Sequence, residues 1–211
     1  MDYGNALGIE FRGTEEITHK GKPARSVTGR RVFLTEIDDL WDALTNPERI
    51  PRWFLPVSGD LRLGGQYQLK GHAGGRITRC DPPKALDVTW EYGNNTSWLR
   101  LRLKPKGRGS ELLIEHVMPK DADSESHWKQ YGPGATGVGW DLSFLALSYH
   151  LVNNGAAINP EENTAWMASD NGMAFIRSSA KSWGTAHIAS GESAGIADDM
   201  ANLTAKFYTG E

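Results

Sequence analysis

Between positions 85 and 118 apolar and polar residues alternate almost without a break. Leu86, Val88, Trp90 and Tyr92 alternate with Asp87, Thr89 and Glu91. Leu99, Leu101 and Leu103 alternate with Trp98, Arg100 and Arg102, and Leu112, Ile114, His116 and Met118 with Glu111, Leu113 and Glu115. A period of two belongs to a strand with one buried face. The turn sequences at Gly93-Asn94-Asn95 and Gly107-Arg108-Gly109 separate these runs, so consecutive strands are expected to pair antiparallel. Upstream, the pattern predicts strands over 27–35, 59–63, 66–70 and 76–81. Gly64-Gly65 and Gly74-Gly75 supply the turns, and Pro82-Pro83-Lys84 breaks the last strand.

Two short helices interrupt this run of strands. Thr35-Glu36-Ile37-Asp38 resembles a capping box and opens a helix to about Leu44. Asn46 then caps a second helix with Pro47 at its first position, and Trp53, Phe54 and Pro56 close it. Residues 119–136 read as a polar loop. The longest helix follows over 137–153, with Trp140, Phe144, Leu147 and Leu151 on one broad stripe. Asn159-Pro160 caps a further helical segment carrying Trp166, Met173, Ile176, Ala180, Trp183 and His187, with Asn171-Gly172 as a possible interruption. A last helix over 194–208 has Ile196, Met200, Leu203 and Phe207 on one stripe. These two C-terminal helices cannot bury their stripes against each other alone. They are expected to pack on the main domain or on a second subunit. Residues 1–27 are polar and without period, and read as a tail with at most one short edge strand.

The chain of 211 residues is 39% hydrophobic and 23% charged, an ordinary globular composition for one domain with an appendage. Its net charge of −3, with no basic run, argues against a nucleic-acid partner. Cys80 is the single cysteine, which excludes an internal disulfide and fits a reducing, cytoplasmic setting. No apolar run approaches the ~20 residues of a membrane span. Asp2 and Glu10, without an apolar run between them, argue against a signal peptide. The acceptor patterns at Asn94-Asn95-Thr96 and Asn202-Leu203-Thr204 are therefore read as chance.

Few residues invite chemistry. Among His19, His72, His116, His127, His150 and His187 none pairs at i, i+4, and one cysteine makes no thiolate site, so neither metal nor cofactor is expected. The stretch Gly132-Pro133-Gly134-Ala135-Thr136-Gly137 matches the dinucleotide-binding spacing, but no strand precedes it. It is read as a flexible loop at the mouth of a cavity. There is no nucleophile elbow, and Cys80 sits beside a Pro-Pro turn without a visible partner. Arg100 and Arg102 share a solvated outer face with Trp98, and His187 reads as a packed histidine.

The residues Trp41 to Glu48, Trp53-Phe54, Gly59-Asp60, Gly64-Gly65, Asp81-Pro82-Pro83, Leu86, Thr89-Trp90 and Glu115-His116, in that order and spacing, resemble the SRPBCC superfamily. More narrowly they resemble the group named after the C-terminal domain of the activator of Hsp90 ATPase. The resemblance spans residues 28–154. It implies an α+β helix-grip, or START-like, fold: a curved antiparallel sheet wrapped around a long C-terminal helix, with two short helices after the first strand. On that reading residues 1–27 are a tail, 28–155 the START-like domain and 156–211 a C-terminal helical extension.

The fold implies a cavity between sheet and long helix. Strand parity and the resemblance together place Trp53, Tyr67, Trp90, Leu101, Ile114, His116, Trp140, Phe144 and Leu147 around a ligand, joined by Leu86, Val88, Leu99 and Leu112. A binder of a small apolar or aromatic molecule, oriented by His116 and without chemistry of its own, is the first reading. An enzyme of the cyclase or hydrolase kind would need His116 and a second polar group such as Tyr67 or Asp141. A chaperone cofactor, which the group's name suggests, would show an exposed binding surface and no need of the cavity. A homodimer through the C-terminal helices is compatible with each.

Overall fold

The computed structural model describes residues 3–4 and 11–211. Eight antiparallel strands form one sheet in the order β1-β2-β8-β7-β6-β5-β4-β3. They are β1 (Phe11–His19), β2 (Lys22–Phe33), β3 (Val57–Gly59), β4 (Gln66–Leu69), β5 (Gly74–Asp81), β6 (Ala85–Tyr92), β7 (Asn95–Lys106) and β8 (Gly109–Pro119). Helices α1 (Ile37–Thr45) and α2 (Ile50–Trp53) follow β2. Then come α3 (Ala122–Tyr131), α4 (Gly134–Val152), α5 (Pro160–Met167), α6 (Asp170–Ala189) and α7 (Ala194–Thr209). This is the helix-grip arrangement, with α4 lying in the concave face of the sheet.

The alternation in β6, β7 and β8 sets which face is concave. Leu99, Leu101, Leu103, Leu112 and Ile114 are buried and turned toward Phe144 and Leu147 of α4 in one cluster. Their alternates carry ion pairs on the outer face: Arg100 donates to Glu115, and Arg102 pairs with Asp87. The cross-strand register Leu101 to Ile114 and Arg100 to Glu115 keeps both sets in phase across neighbouring strands.

Several local expectations are corrected. Residues 1, 2 and 5–10 of the expected tail lie outside the described residues, but 11–27 form β1 and the first half of β2, paired over their whole length. β1 is an edge strand with a polar sequence on both faces, and backbone pairing holds it, so its side chains carry no period. The capping box at Thr35 does not form: Thr35 donates its hydroxyl to Asp39, and α1 begins after Glu36 without a side-chain cap. Asn46 accepts from the Glu48 amide but caps only a turn, and α2 starts later, at Ile50. The strand expected over 59–63 is β3, ending at Gly59. Within the expected loop 119–136, Asp121 and Ser124 close a reciprocal capping box that starts α3. No residue of α3 is fully buried, so its sequence shows no apolar stripe.

α4 is apolar nearly all round because it is covered on two sides. Opposite the sheet, α6 buries Ile176, Ala180 and Trp183 against Val138 of α4 and Val27 of β2. The Gly132–Gly137 stretch is where this docking happens, rather than a loop at a cavity mouth. A Cβ at Gly137 would lie 2.1 Å from the Trp183 ring, and one at Gly134 3.0 Å from Thr204. Glycine is needed here for close approach of α6 and α7.

Candidate functional site

A cavity of about 270 Å³ lies between α4 and the concave face of the sheet. α1 and α2 roof it with Trp41, Leu44, Ile50 and Trp53, and α4 supplies Trp140, Ser143, Phe144 and Leu147. The sheet contributes Tyr67, Ile77, Cys80, Leu86, Val88, Trp90, Leu99, Leu101, Leu112 and Ile114. Of the residues placed around a ligand from the sequence, Trp53, Tyr67, Trp90, Leu101, Ile114, Trp140, Phe144 and Leu147 all line this space. The contribution of α1 and of Cys80 was not legible in advance. α1 has no strand parity to count, and Cys80 lies just beyond a break in register between Ile77 and Arg79 of β5.

Among the described residues no lining side chain is charged. The hydroxyls on the wall are already committed. Tyr67 donates to the Thr89 carbonyl at 2.8 Å, Ser143 to Gly139 at 2.8 Å and Thr45 to Trp41 at 2.7 Å. The Trp53 indole N–H donates to Ala43 at 2.9 Å. Burial pushes the Tyr67 phenol up from its ordinary value, with the Glu91 charge adding to it, so it stays protonated. Beside the free Cys80 thiol, the wall offers apolar surface and aromatic rings.

His116 is not on that wall. It is buried behind it, edge-on to Trp90 and Trp140 with ring centroids 5.9 and 5.8 Å away. Its Nε2 lies 2.8 Å from the Ser97 hydroxyl, which can donate to the Trp90 carbonyl at 3.1 Å. Among the described residues His116 Nδ1 and Trp140 Nε1 have no hydrogen-bond partner. The three rings contact one another pairwise, since Trp90 and Trp140 are also edge to face at 5.6 Å. His116 therefore supports the two indoles at this end of the cavity.

Burial lowers the His116 pKa to about 4. The unfolded chain takes up a proton near the ordinary 6.5, and the native state only near 4. The stability this neutral histidine contributes is complete above pH 6.5 and is lost as the pH falls through that window, roughly 3 kcal/mol in all. His116→Phe is expected to lose less stability than the wild type between pH 7 and 4.5, measured by urea denaturation at both. Equal losses in the two proteins would refute this assignment.

Asp141, the other polar group considered for the cavity, faces away from it. It is fully buried between α4, α6 and β1, accepting from Arg12 Nε at 2.8 Å and Trp183 Nε1 at 3.1 Å. His187 is likewise packed, edge-on to Trp128. Among the described residues no group of three His, Cys, Asp or Glu side chains is placed to hold a metal ion, and no helix is long and apolar enough to cross a membrane.

Residues 34–151 match the family model described as Activator of Hsp90 ATPase homolog 1-like protein. Among solved structures, the crystal structure of CalU16 from Micromonospora echinospora is 30% identical, with 85% of this chain and 98% of that chain covered and a TM-score of 0.66. Its solution structure is 29% identical, covers 86% and 97%, and has a TM-score of 0.69. MLL2253 from Mesorhizobium loti is 21% identical over 61% of this chain and 97% of its own, with a TM-score of 0.54, a likeness of fold alone. No curated protein matches the chain.

Proposed function

The chain belongs to the activator of Hsp90 ATPase homolog 1-like family, within the helix-grip fold, and from that premise we propose that it binds a small, neutral, apolar or aromatic molecule without chemically altering it. The observation that carries this reading is the cavity wall. It has space, aromatic rings and, among the described residues, no charged side chain, and its hydroxyls are spent on backbone carbonyls. A charged ligand would lose its hydration without compensation, whereas an apolar one gains about 25 cal/mol for each Å² removed from water. Trp90 and Trp140 offer indole surface to an aromatic ligand, and His116 packs against both.

The cyclase or hydrolase alternative needs a proton-transfer pair in the cavity. His116 lies behind the indoles, Tyr67 donates to Thr89, and Asp141 is on the far side of α4. The geometry favours the binder.

Native mass spectrometry of protein purified from its own host, followed by extraction, tests the proposal. A retained neutral molecule, or saturable one-site binding of the neutral probe N-phenyl-1-naphthylamine by the empty protein, is the expected result. An empty protein that also fails to bind the probe would overturn it.

A further inference from the structure

α7 has two different faces, and one is docked within the chain while the other touches it only at one edge, where Phe207 meets the Tyr131 ring at 5.5 Å and Met200 lies against Gly132. The docked face is built of small residues and two hydroxyls. Ala197 and Thr204 are buried, Thr204 donates to the Tyr131 carbonyl at 3.1 Å, and Tyr208 donates to the Ala135 carbonyl at 2.7 Å. Ala201 packs so close to Gly184 of α6 that a Cβ there would lie 3.1 Å away. The stripe expected from the sequence to be buried is the other one. Ile196 is 48% exposed, Leu203 43% and Phe207 60%, with Met200 half-buried between them. These four positions are spaced i, i+4, i+7 and i+11, the seam of a helix that pairs with another helix.

We propose that this stripe is the contact face of a two-fold dimer, in which α7 packs antiparallel against α7 of a second copy of the chain. Charge selects this occupant and this orientation. Asp199 and Lys206 are seven residues apart, both exposed, and both flank the stripe on its side away from α3 and α6. Neither side chain makes an ion pair within the chain among the described residues. Antiparallel pairing that sets Ile196 against the partner's Phe207, and Met200 against the partner's Leu203, brings Asp199 level with the partner's Lys206 to within about two residues of rise, ~3 Å. Two-fold symmetry repeats the pair, so the contact is self-complementary and closed. A parallel pairing puts identical residues at the same height and loses both ion pairs. Asp198 and Asp199 also disfavour an anionic lipid surface as the occupant.

The seam is short, so the dimer belongs to the weak, concentration-dependent class. Sedimentation velocity of the full chain from low micromolar to about 200 µM is expected to show monomer passing to dimer. Leu203→Glu should raise the dissociation constant at least tenfold, and Asp199→Lys or Lys206→Asp should each weaken the dimer. The double variant Asp199→Lys with Lys206→Asp should recover it, because the pairs are re-formed with their signs exchanged. All three positions are exposed in the monomer, and circular dichroism checks that each variant remains folded. A protein that stays monomeric throughout the range would overturn the proposal. So would a dimer indifferent to Leu203→Glu, or a double variant that does not recover.

Discussion

Asp141→Ala is expected to destabilise the protein by about 3 kcal/mol, the loss typical of removing one partner from a buried ion pair. In a chain of this length that corresponds to a fall in melting temperature of roughly 6–12 °C. One carboxylate oxygen gathers three donors from two other elements: Arg12 of β1, and Ser179 and Trp183 of α6. Alanine leaves the Trp183 indole, which is fully buried, without this acceptor and removes the carboxylate 2.8 Å from Arg12 Nε. The charge on Asp141 is itself disfavoured. Burial pushes its carboxyl up from the ordinary 3.8, and the Arg12 charge and the three hydrogen bonds offset only part of that. The unfolded chain loses this proton first as pH rises, so the group's contribution is greatest in acid and declines above pH 3.8. Asp141→Asn keeps an oxygen acceptor for the indole and the hydroxyl and gives up the disfavoured charge. It should therefore cost less than half as much as alanine. Differential scanning calorimetry of both variants at pH 7 decides the matter, and equal losses would show that the acceptor geometry is irrelevant.

The same residue shows where sequence reasoning reached its limit. Strand parity from Leu86 to Ile114 was legible because one face is buried and the other solvated, and that sufficed to place most of the cavity wall. α4 gave no such contrast. It is covered by the sheet on one side and by α6 on the other, so Asp141 and Trp140, adjacent in sequence, serve different interfaces. The sequence shows an acidic residue on an apolar helix but not which cover it faces. His116 shows a different limit. Its parity was right, since it shares a face with Ile114, yet Trp90 and Trp140 close in front of it. Side-chain size, which parity ignores, decides which inward residue reaches the void. α7 makes the complementary point: its large apolar stripe was easy to see, and the small residues that actually dock it were not.

Val88→Trp is expected to abolish binding of a neutral aromatic probe while leaving the fold intact. Val88 sits in the middle of β6, between Leu86 and Trp90 on the same face, with Leu99 opposite it on β7. All four line the cavity. An indole at this position projects into the empty volume of about 270 Å³ instead of into packed side chains, so the usual penalty for enlarging a core residue is largely avoided. The apolar surface it covers inside the protein should hold or raise the melting temperature. The same volume is what a ligand would occupy, and affinity for N-phenyl-1-naphthylamine should fall about 100-fold, or some 3 kcal/mol. An outward-facing control, Thr96→Trp, adds the same ring on the exposed face of β7, away from the cavity, and should leave binding unchanged. The pair separates occupancy of the cavity from adsorption on the surface. If Val88→Trp melts at or above the wild-type temperature and binds the probe as well as before, the probe is not in the cavity, and the binder reading loses the observation on which it rests.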